Sequence, residues 1–522
     1  MKAFAELLDS LSFQHGRNGK LALLQRYIRE TPDPDRGWAL AALTGDLSLR
    51  HAKPAMVRGL AMERVDETLF ALSYDYVGDL AETVALIWPE RPGANRIPSL
   101  SELIETVEAT SKSELPALLT GWFDAMTATQ RWATIKLITG ALRIGVSARL
   151  EKTALARHAG IETDAVEEVW HAVEAPYGEL LAWLDGTGER PDPSHSASFR
   201  PVMLAHPLDE SELPSLDPAA YRAEWKWDGI RVQIVGEASR LRIYSRSGDE
   251  IGHTFPDLLD GLDLDATLDG ELLVLRDSAV APFADVQKRL NRKTVSAKLM
   301  ASHPAHVRLY DILAEAGEDL RALPFDQRRS RLEQWVARTR PERMDLSAMV
   351  PFSCWDDLAQ LRATETENGV EGLMLKLAGS AYAPGRPKGL WFKWKRDPAL
   401  IDAVLMYAQR GHGKRNSIYS DYTFGVWRDS ELVPVGKAYF GFTDEELQQI
   451  DKWVRDHTTE RFGPVRAVEQ KLVLEVAFEG LQRSTRHKSG VAMRFPRISR
   501  IRWDKPAAEA DVLTTLEAML PN

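Results

Sequence analysis

The spacing of apolar residues changes once along this 522-residue chain. In residues 1–185 apolar positions recur every three or four residues, as in LLDSLS, KLALLQRYI and SELIETVEAT, which is the spacing of amphipathic helices. Thr127 and Gln130 have the spacing of a capping box, and Ser147 is a candidate N-cap for the helix that follows. The first third of the chain is therefore predicted to be all α.

A stretch rich in Gly, Pro, Ser and Asp, GTGERPDPSHSASFR at 186–200, precedes a change to short alternating segments. AEWKWDGIRVQIV, LRIYSRSG, LDGELLVL, HVRLYDIL, EGLMLKL and LWFKWKR favour strands separated by turns and a few helices. From about residue 401, further strand patterns surround one helical segment, DEELQQIDKWVRDH. We predict a helical domain at 1–190, a linker at 191–200, an α+β domain at 201–398 and a small β-barrel at 399–522.

Composition narrows the class of protein. Hydrophobic residues make up 44% of the chain and charged residues 27%, which is typical of globular domains with sizeable cores. No apolar run reaches the roughly 20 residues of a membrane span, and the N-terminus lacks the apolar core of a secretory signal. We therefore expect a cytoplasmic protein with no membrane partner. The single cysteine, Cys354, excludes an intrachain disulfide and a tetracysteine zinc site.

Basic residues are concentrated in two runs although the formal net charge is −10. Residues 286–298 hold five Lys/Arg and no acid, and residues 482–505 hold eight against one acid. Each run could be an ordinary solvated face, but together they favour a polyanionic partner. The break around Arg143 and Gly145 offers a fresh helix N-terminus to a phosphate, or is an ordinary corner between two helices.

Lys226 is the first candidate for chemistry. It lies between two tryptophans in EWKWDGIR and is followed by Asp228 and Gly229. Only about one free lysine in a thousand is unprotonated near pH 7.5, so a nucleophilic lysine needs burial or nearby positive charge. The four-residue pattern K-x-D-G arises often by chance and decides nothing alone.

The order of the segments that follow Lys226 is more informative about function than the K-x-D-G pattern alone. They are SRSG (245–248), LDGELLV (268–274), RLYDIL (308–313), VEGLMLK (370–376), LWFKWK (390–395) and AMRFPRISRIRWDK (492–505). Lys393 and Lys395 are two residues apart on one predicted strand and so share a face. Over residues 200–506 this order resembles the covalent nucleotidyltransferases, and among them the ATP-dependent DNA ligases.

FRPVMLAHP and LITGALRIGVS extend the resemblance towards the N-terminus. It implies a multidomain protein of bacterial or archaeal type. An all-α DNA-binding domain would precede an α+β nucleotidyltransferase (ATP-grasp-like) catalytic domain and a C-terminal OB-fold β-barrel.

The resemblance also implies roles for single residues. Lys226 would attack the α-phosphate of ATP and hold AMP covalently, with Lys393 and Lys395 neutralising that phosphate. The other expected nucleotide contacts are Glu224 (adenine), Glu271 (ribose), Tyr310 (stacking), Arg231, Arg246, Lys376, Arg494, Arg497 and Lys505. Carboxylates expected around Mg²⁺ or Mn²⁺ are Asp228, Glu271 and Glu371. Expected DNA contacts are Arg143, Gly145, Lys288, Arg289 and Arg292.

The implied reaction is sealing of a nick with 5′-phosphate and 3′-hydroxyl ends in duplex DNA, through a lysyl-AMP and a DNA-adenylate. The partner would be nicked double-stranded DNA, bound by a monomer in the cytoplasm near the nucleoid. An mRNA-capping or RNA-ligase nucleotidyltransferase would not be expected to share the helical N-terminal region and the RFPR…DK ending. An NAD-dependent ligase would carry the tetracysteine module. A catalytically inactive nick-binding protein is the remaining alternative, and the intact lysines and carboxylates speak against it.

Overall fold

The described residues of the N-terminal region are helical, as the sequence pattern predicted. The helices are α1 Lys2–Phe13, α2 Arg17–Glu30, α3 Asp35–Thr44, α4 Pro54–Met62, α5 Glu67–Val77, α6 Leu80–Ile87, α7 Leu100–Ala109, α8 Leu115–Ala125 and α9 Ala128–Ile138. The predicted capping box is confirmed at the start of α9, where the Gln130 N–H donates to Thr127 Oγ1 and the Thr127 N–H donates to Gln130 Oε1.

This computed structural model describes the whole chain except residues 15, 48, 50, 51, 90–95, 141, 143, 194–196, 238, 239, 291, 293, 366–368, 411–418, 440, 464, 486, 521 and 522. The described residues form two compact units. One contains residues 1–147 and 397–522, and the other contains residues 148–396. None of the described helices has both the length and the apolar run needed to cross a bilayer.

The 148–396 unit begins with three helices and continues with strands and helices in alternation. Its helices are α10 Ala148–Ala159, α11 Thr163–Val169, α12 Gly178–Leu184, α13 Pro256–Leu259, α14 Phe283–Gln287, α15 Ala297–Ser302, α16 Phe325–Thr339 and α17 Trp355–Thr364. Its strands are β1 His206–Pro207, β2 Tyr221–Trp227, β3 Ile230–Glu237, β4 Arg240–Ser245, β5 Ala266–Arg276, β6 Ala279–Val280, β7 Ala305–Glu315, β8 Glu318–Asp319, β9 Met344–Leu346, β10 Met349–Val350, β11 Val370–Leu377 and β12 Trp391–Lys395.

Two sheets divide these strands. The first has the order β1-β12-β11-β2-β10, and the second has the order β4-β3-β5-β7-β8, with β6 paired to β5 and β9 paired to β7. Strand β11 lies between β2 and β12 and is antiparallel to both. Lys226 and Lys395 are therefore both opposite Gly372, although 169 residues separate them along the chain.

Alternation along the strands of the first sheet separates an apolar face from a polar one. The apolar side chains form one core cluster that includes Tyr221, Ala223, Leu373, Leu375, Phe392 and Trp394. The side chains at alternate positions, among them Glu224, Lys226, Lys393 and Lys395, belong to the opposite face. Burial of the first set thus fixes where the second set points.

The segment that the sequence presented as a linker is packed in its second half. Ala197 and Phe199 are buried in a cluster with Tyr244, Val235 and Val202, which follows the predicted linker, and the Tyr244 hydroxyl donates to the Ala197 carbonyl (2.9 Å). The sequence interpretation did not anticipate this packing. Helices α10–α12 also belong to the 148–396 unit, whereas the predicted helical domain extended to residue 190.

The C-terminal part of the other unit is β-rich. Its strands are β13 Ala399–Arg410, β14 Tyr419–Arg428, β15 Glu431–Ala438, β16 Thr458–Phe462, β17 Val465–Val468, β18 Val473–Phe478, β19 Gly480–Arg483, β20 Val491–Arg494 and β21 Arg497–Arg502. Strand β13 pairs with β14, β17 and β18, and β18 also pairs with β21. The predicted helix is α18, Asp444–Asp456, and a further helix, α19, spans Leu513–Ala518.

Strand β11 is irregular at one glycine. The register between β11 and β2 shifts between Val370 and Gly372, and this bulge turns Glu371 towards the lysines on either side. Gly372 has φ +144°, and a Cβ atom there would lie 2.3 Å from the backbone oxygen of Trp394. Only glycine fits this position without displacing β12.

We predict that Gly372→Ala lowers the free energy of unfolding by about 1–3 kcal/mol, because the added methyl group overlaps backbone that cannot move freely. Chemical denaturation of the purified variants measures this. Gly379→Ala is the matched control, since a Cβ atom at Gly379 meets nothing within 4 Å, and it should change stability by less than about 0.5 kcal/mol. Equal losses in the two variants would contradict the packing argument.

Candidate active site

Lys226 and Lys395 share the carboxylate of Glu371. Lys226 Nζ donates to Glu371 Oε1, and Lys395 Nζ is 3.3 Å from Oε2. All three side chains are partly exposed, at 20%, 25% and 35% for Lys226, Glu371 and Lys395, so a ligand can reach them. Burial alone would raise the pKa of Glu371, but the two ammonium groups outweigh it and hold this pKa below its ordinary value.

Lys393 adds a third lysine to the same sheet face. Burial lowers the pKa of Lys393, and the nearby charges of Lys395, Arg386, Lys226 and Arg246 lower it further. Arg246, in the turn after β4, is exposed, and burial of part of its side chain together with Arg231 and Arg386 lowers its pKa too. The described basic side chains of this region thus repel one another, and a bound anion would reduce that repulsion.

A buried ion pair lies two residues away from Lys226 along β2. Glu224 is 1% exposed, and both of its carboxylate oxygens are 3.2 Å from Lys376 Nζ on β11. The Lys376 ammonium is 4.6–4.8 Å from the ring centroids of Tyr310, Phe325 and Trp391. Burial raises the pKa of Glu224 and lowers that of Lys376. The sequence predicted both residues as nucleotide contacts, and the structure brings them together behind Tyr310.

Arg231 is held by a second buried carboxylate. Its Nε and Nη2 donate to the two oxygens of Asp269, at 3.0 and 2.6 Å, and Asp269 is fully buried. Nη1 donates to the Met203 carbonyl (2.6 Å), and Nη2 also donates to the Tyr382 hydroxyl (2.9 Å). The Arg231 guanidinium is 5.8 Å from the centroid of the Tyr310 ring. The pKa of Tyr310 is raised well above its ordinary value, first by burial.

Glu271 is opposite Arg231 in the pairing of β3 with β5. Burial raises the pKa of Glu271 to about 8, and Glu371 and Asp269 add to the rise while Lys226 and Arg231 oppose it. Glu271 is therefore largely protonated at neutral pH in this state. As an acid it can donate a hydrogen bond, for example to a hydroxyl oxygen of a sugar.

The three carboxylates predicted as metal ligands do not converge. Within the described residues no group of three His, Cys, Asp or Glu side chains is arranged to hold a metal ion. Glu271 and Glu371 do influence each other electrostatically, whereas Asp228 follows β2 in a turn where its N–H donates to the Gly369 carbonyl (2.6 Å). Two carboxylates fit Mg²⁺ or Mn²⁺ when substrate phosphates complete the coordination.

The predicted nucleotide contacts near the C-terminus lie in the other unit. Arg494 ends β20 and its guanidinium is 5.7 Å from the centroid of the Phe495 ring, and Arg497 begins β21. Lys505 Nζ is bound to Asp402 Oδ2 (2.7 Å).

The prediction that Arg289 contacts DNA is wrong. Its side chain is fully buried, and its guanidinium donates to Asp257 and to the carbonyls of Thr254 and His303. The sequence supplied a run of positive charges but no means to tell which of them closes the core. Lys288 and Arg292, in the same run, are exposed.

The other two predicted DNA contacts lie at the break after α9. Arg143 is outside the described residues. Gly145 has φ +66°, and its carbonyl accepts a hydrogen bond from Lys20 Nζ (2.6 Å).

Four residues of the site were missed in the sequence. Asp269 had a signal, since it is two residues before Glu271 on one strand and so on the same face. Tyr382 and Arg386 precede the paired lysines in AYAPGRPKGLWFKWK, without a pattern that assigns them. Arg329 on α16, whose Nη1 is 3.6 Å from Glu224 Oε1, had no local signal at all.

The sequence matches three family models. They are described as DNA ligase N terminus (residues 1–156), ATP dependent DNA ligase domain (202–395) and ATP dependent DNA ligase C terminal region (415–505). A probable DNA ligase of Koribacter versatilis is 32% identical, over 99% of this chain and 96% of that protein. DNA ligase 1 of Korarchaeum cryptofilum is 29% identical, over 98% and 97%.

One solved structure, Pmar-Lig_PreS3, superposes with a TM-score of 0.59 at 15% identity, over 96% of this chain and 99% of that one. At this identity the likeness shows the fold alone. The predicted fold class is confirmed as a helical N-terminal region, a nucleotidyltransferase domain and a β-rich C-terminal domain.

We predict that Arg289→Met costs about 3–5 kcal/mol of unfolding free energy, because it leaves Asp257 without its buried partner. Arg292→Met, in the same basic run but exposed, should change stability by less than about 0.5 kcal/mol. Urea denaturation of both variants and the wild type measures these changes in the free energy of unfolding. An Arg289→Met variant as stable as the wild type would contradict the predicted cost of leaving Asp257 without Arg289.

The raised pKa of Glu271 predicts a pH-dependent stability. The folded state binds the Glu271 proton more tightly than the unfolded state, so stability falls as pH rises from about 4.5 to about 8. Relative to Glu271→Gln, the wild-type unfolding free energy should decrease by at most about 1.4 kcal/mol per pH unit in that window. Denaturation from pH 5 to 8 measures the difference. Parallel curves for the two proteins would contradict the raised pKa.

Proposed function

This chain belongs to the ATP-dependent DNA ligases, and we propose that Lys226 is the residue on which it carries AMP from ATP to a DNA end. As a member of this family the protein uses ATP to seal breaks in DNA. The observation that carries the assignment to Lys226 is its position on a sheet face that also bears Lys393 and Lys395, with Glu371 between Lys226 and Lys395.

Three steps follow for a nick with 5′-phosphate and 3′-hydroxyl ends in duplex DNA. The Lys226 amine, after losing a proton, forms a bond to the α-phosphorus, and the bond to the leaving pyrophosphate breaks. The 5′-phosphate then attacks the same phosphorus and forms a DNA-adenylate, which releases the lysine. Finally the 3′-hydroxyl attacks the 5′-phosphate, a phosphodiester forms and AMP leaves.

The lysines and arginines around Lys226 would act on phosphate charge. Phosphoryl transfer depends mainly on positioning and charge stabilisation, so Lys393 and Lys395 would neutralise the α-phosphate, with Arg246 and Arg386 nearby. The mutual repulsion that lowers the pKa of Lys393 would be relieved when an anion enters. This cluster therefore favours the triphosphate over a neutral ligand.

The nucleoside would lie towards Tyr310. Its ring would stack on adenine, Glu271 would bind the ribose, and Glu224 with Lys376 would form the end of the base pocket. Glu224 is almost completely enclosed by its own partners, so it serves adenine only together with Lys376. Arg231 would contact the ribose or a phosphate.

Glu371 would have two alternative partners during the reaction. While it holds Lys226, the Lys226 side chain is engaged in a hydrogen bond and is not available as a nucleophile. As a ligand of Mg²⁺ or Mn²⁺, together with Glu271 once the Glu271 carboxyl group has lost its proton, it would no longer bind Lys226. Asp228, in the turn that follows β2, would be a further carboxylate for this ion. The bound ion would supply further positive charge to the phosphates.

DNA would be gripped mainly through its phosphates, since a ligase does not select a sequence. Lys288 and Arg292 are exposed candidates for these contacts, with the break at Arg143 and Gly145 as another. Arg494, Arg497 and Lys505 would serve pyrophosphate release. We expect the protein to act as a monomer. We also expect it to be cytoplasmic and associated with the nucleoid, because its DNA substrate is there.

Incubation with ATP and Mg²⁺ should add the mass of one adenylyl group to the intact protein, and Lys226→Ala should abolish the addition. Lys388→Ala is the control, because Lys388 is an exposed lysine of the same unit outside the proposed machinery. Mass spectrometry before and after a chase with nicked DNA reads out both formation and discharge. An adduct that survives in Lys226→Ala would move the nucleophile elsewhere.

The same assay separates the alternatives by nucleotide. We expect an adduct with ATP and none with GTP or NAD. An adduct with GTP but not with ATP would favour a capping enzyme. Failure to form any adduct would favour a protein that only binds nicks.

A further inference from the structure

The Tyr382 hydroxyl is hydrogen-bonded to both members of the ion pair between Arg231 and Asp269. It donates to Asp269 Oδ2 (2.7 Å) and accepts from Arg231 Nη2 (2.9 Å). Tyr382 is 3% exposed. Burial raises its pKa well above the ordinary value and the Asp269 carboxylate adds to the rise, so the hydroxyl stays protonated and keeps its proton for Asp269.

Counting donors shows what this contact does to Arg231. A guanidinium has five N–H groups. In Arg231 Nε donates to Asp269, Nη2 donates to both Asp269 and the Tyr382 hydroxyl, and Nη1 donates to the Met203 carbonyl. Four contacts with described residues thus hold the three nitrogens, and one N–H on Nη1 is left over as the fifth donor.

The surroundings of Arg231 point to what the fifth N–H serves. Arg231 is near the Tyr310 ring, and its charge acts on Glu271 and Arg246, which are all residues of the proposed nucleotide pocket. A guanidinium anchored at four points cannot rotate, so the fifth N–H has one fixed direction. Rigid donors of this kind bind a ligand without further loss of side-chain entropy.

We propose that Tyr382 is a positioning residue for nucleotide binding, which acts by locking Arg231 so that a single N–H is presented to ATP. This rests on the proposed function, because the role of Arg231 in holding the nucleotide belongs to it. Tyr382 reaches Arg231 from the segment between β11 and β12. The ends of that segment are the strands that carry Glu371 and Lys393, so the lock also ties the nucleoside end of the pocket to the lysines.

Tyr382→Phe tests the lock with little disturbance of packing. The ring packs edge-on against Trp391, at 5.7 Å between centroids, and phenylalanine keeps this contact. Adenylation of the full chain, followed by mass spectrometry over a series of ATP concentrations with Mg²⁺, should show KM for ATP raised about tenfold. That is the size expected for losing one hydrogen bond to a charged group. The maximal rate should change by less than about twofold.

The matched control is Tyr221→Phe. The Tyr221 hydroxyl donates to the Gly389 carbonyl (2.8 Å) and so anchors the same segment without touching Arg231. Its KM for ATP should stay within about twofold of the wild-type value. An equal rise in both variants would mean that the segment needs anchoring of any kind, and would overturn the role of Tyr382.

A second background tests whether Tyr382 acts through Arg231. Arg231→Lys replaces the planar fork by a single ammonium, which cannot be locked in the same way. On this background Tyr382→Phe should change KM by less than about twofold, because coupled residues are not additive. A full tenfold effect there would overturn the proposal.

The outcomes separate the two levels of inference. If the wild-type protein forms no lysyl-AMP, the proposed function fails. If the wild-type protein forms it and Tyr382→Phe has the wild-type KM, only the role of Tyr382 fails.

Discussion

The catalytic unit depends on one carboxylate that keeps like charges together. Lys226 and Lys395 come from strands on opposite sides of β11, and Glu371 on that strand binds both. Without it three lysines would repel one another on one sheet face, since burial strengthens repulsion as well as attraction. The hydrogen-bonded register of β2, β11 and β12 holds the lysines in place, and the bulge at Gly372 delivers the carboxylate. The apolar core on the other face of the sheet exists to keep that register.

Local patterns were enough to predict the secondary structure around the site but not its assembly. Alternation identified the strands that carry Lys226, Glu371 and Lys393, and helical spacing identified the N-terminal helices. Strand pairing across the chain has no local signature, so the hydrogen bond between Lys226 and Glu371 was not predicted. The resemblance implied a role for each residue, Lys226 as the nucleophile and Glu371 as a metal ligand, but no contact between them. Strand β16 was missed because its residues are mostly exposed, and β19 was missed because it has only four residues; both lack the apolar alternation that reveals a half-buried strand.

The burial and pairing of charged residues were the features that were hardest to predict from the sequence. The sequence alone does not distinguish a basic residue that faces solvent from one that is buried in the core. Arg289, in the basic run at 286–298, is buried. Behind the lysines the unit buries several carboxylates with basic partners, among them Asp269 with Arg231 and Asp311 with Arg328. Such pairs add little net stability but leave few alternative positions for their members. They explain how polar groups at the site are fixed before a ligand arrives.

The Glu224–Lys376 pair also constrains how this protein can change over evolutionary time. Both members are buried, and the ammonium is surrounded by three aromatic rings. A substitution that removes the charge of Lys376 leaves Glu224 buried with Arg329, at 3.6 Å, as its remaining basic neighbour. A substitution that removes the charge of Glu224 leaves the Lys376 ammonium buried without the carboxylate that binds it, which costs several kcal/mol in proteins of ordinary stability. Replacement of the pair by uncharged residues, one position at a time, therefore passes through a less stable intermediate. The two positions constrain each other although 152 residues separate them in the gene product.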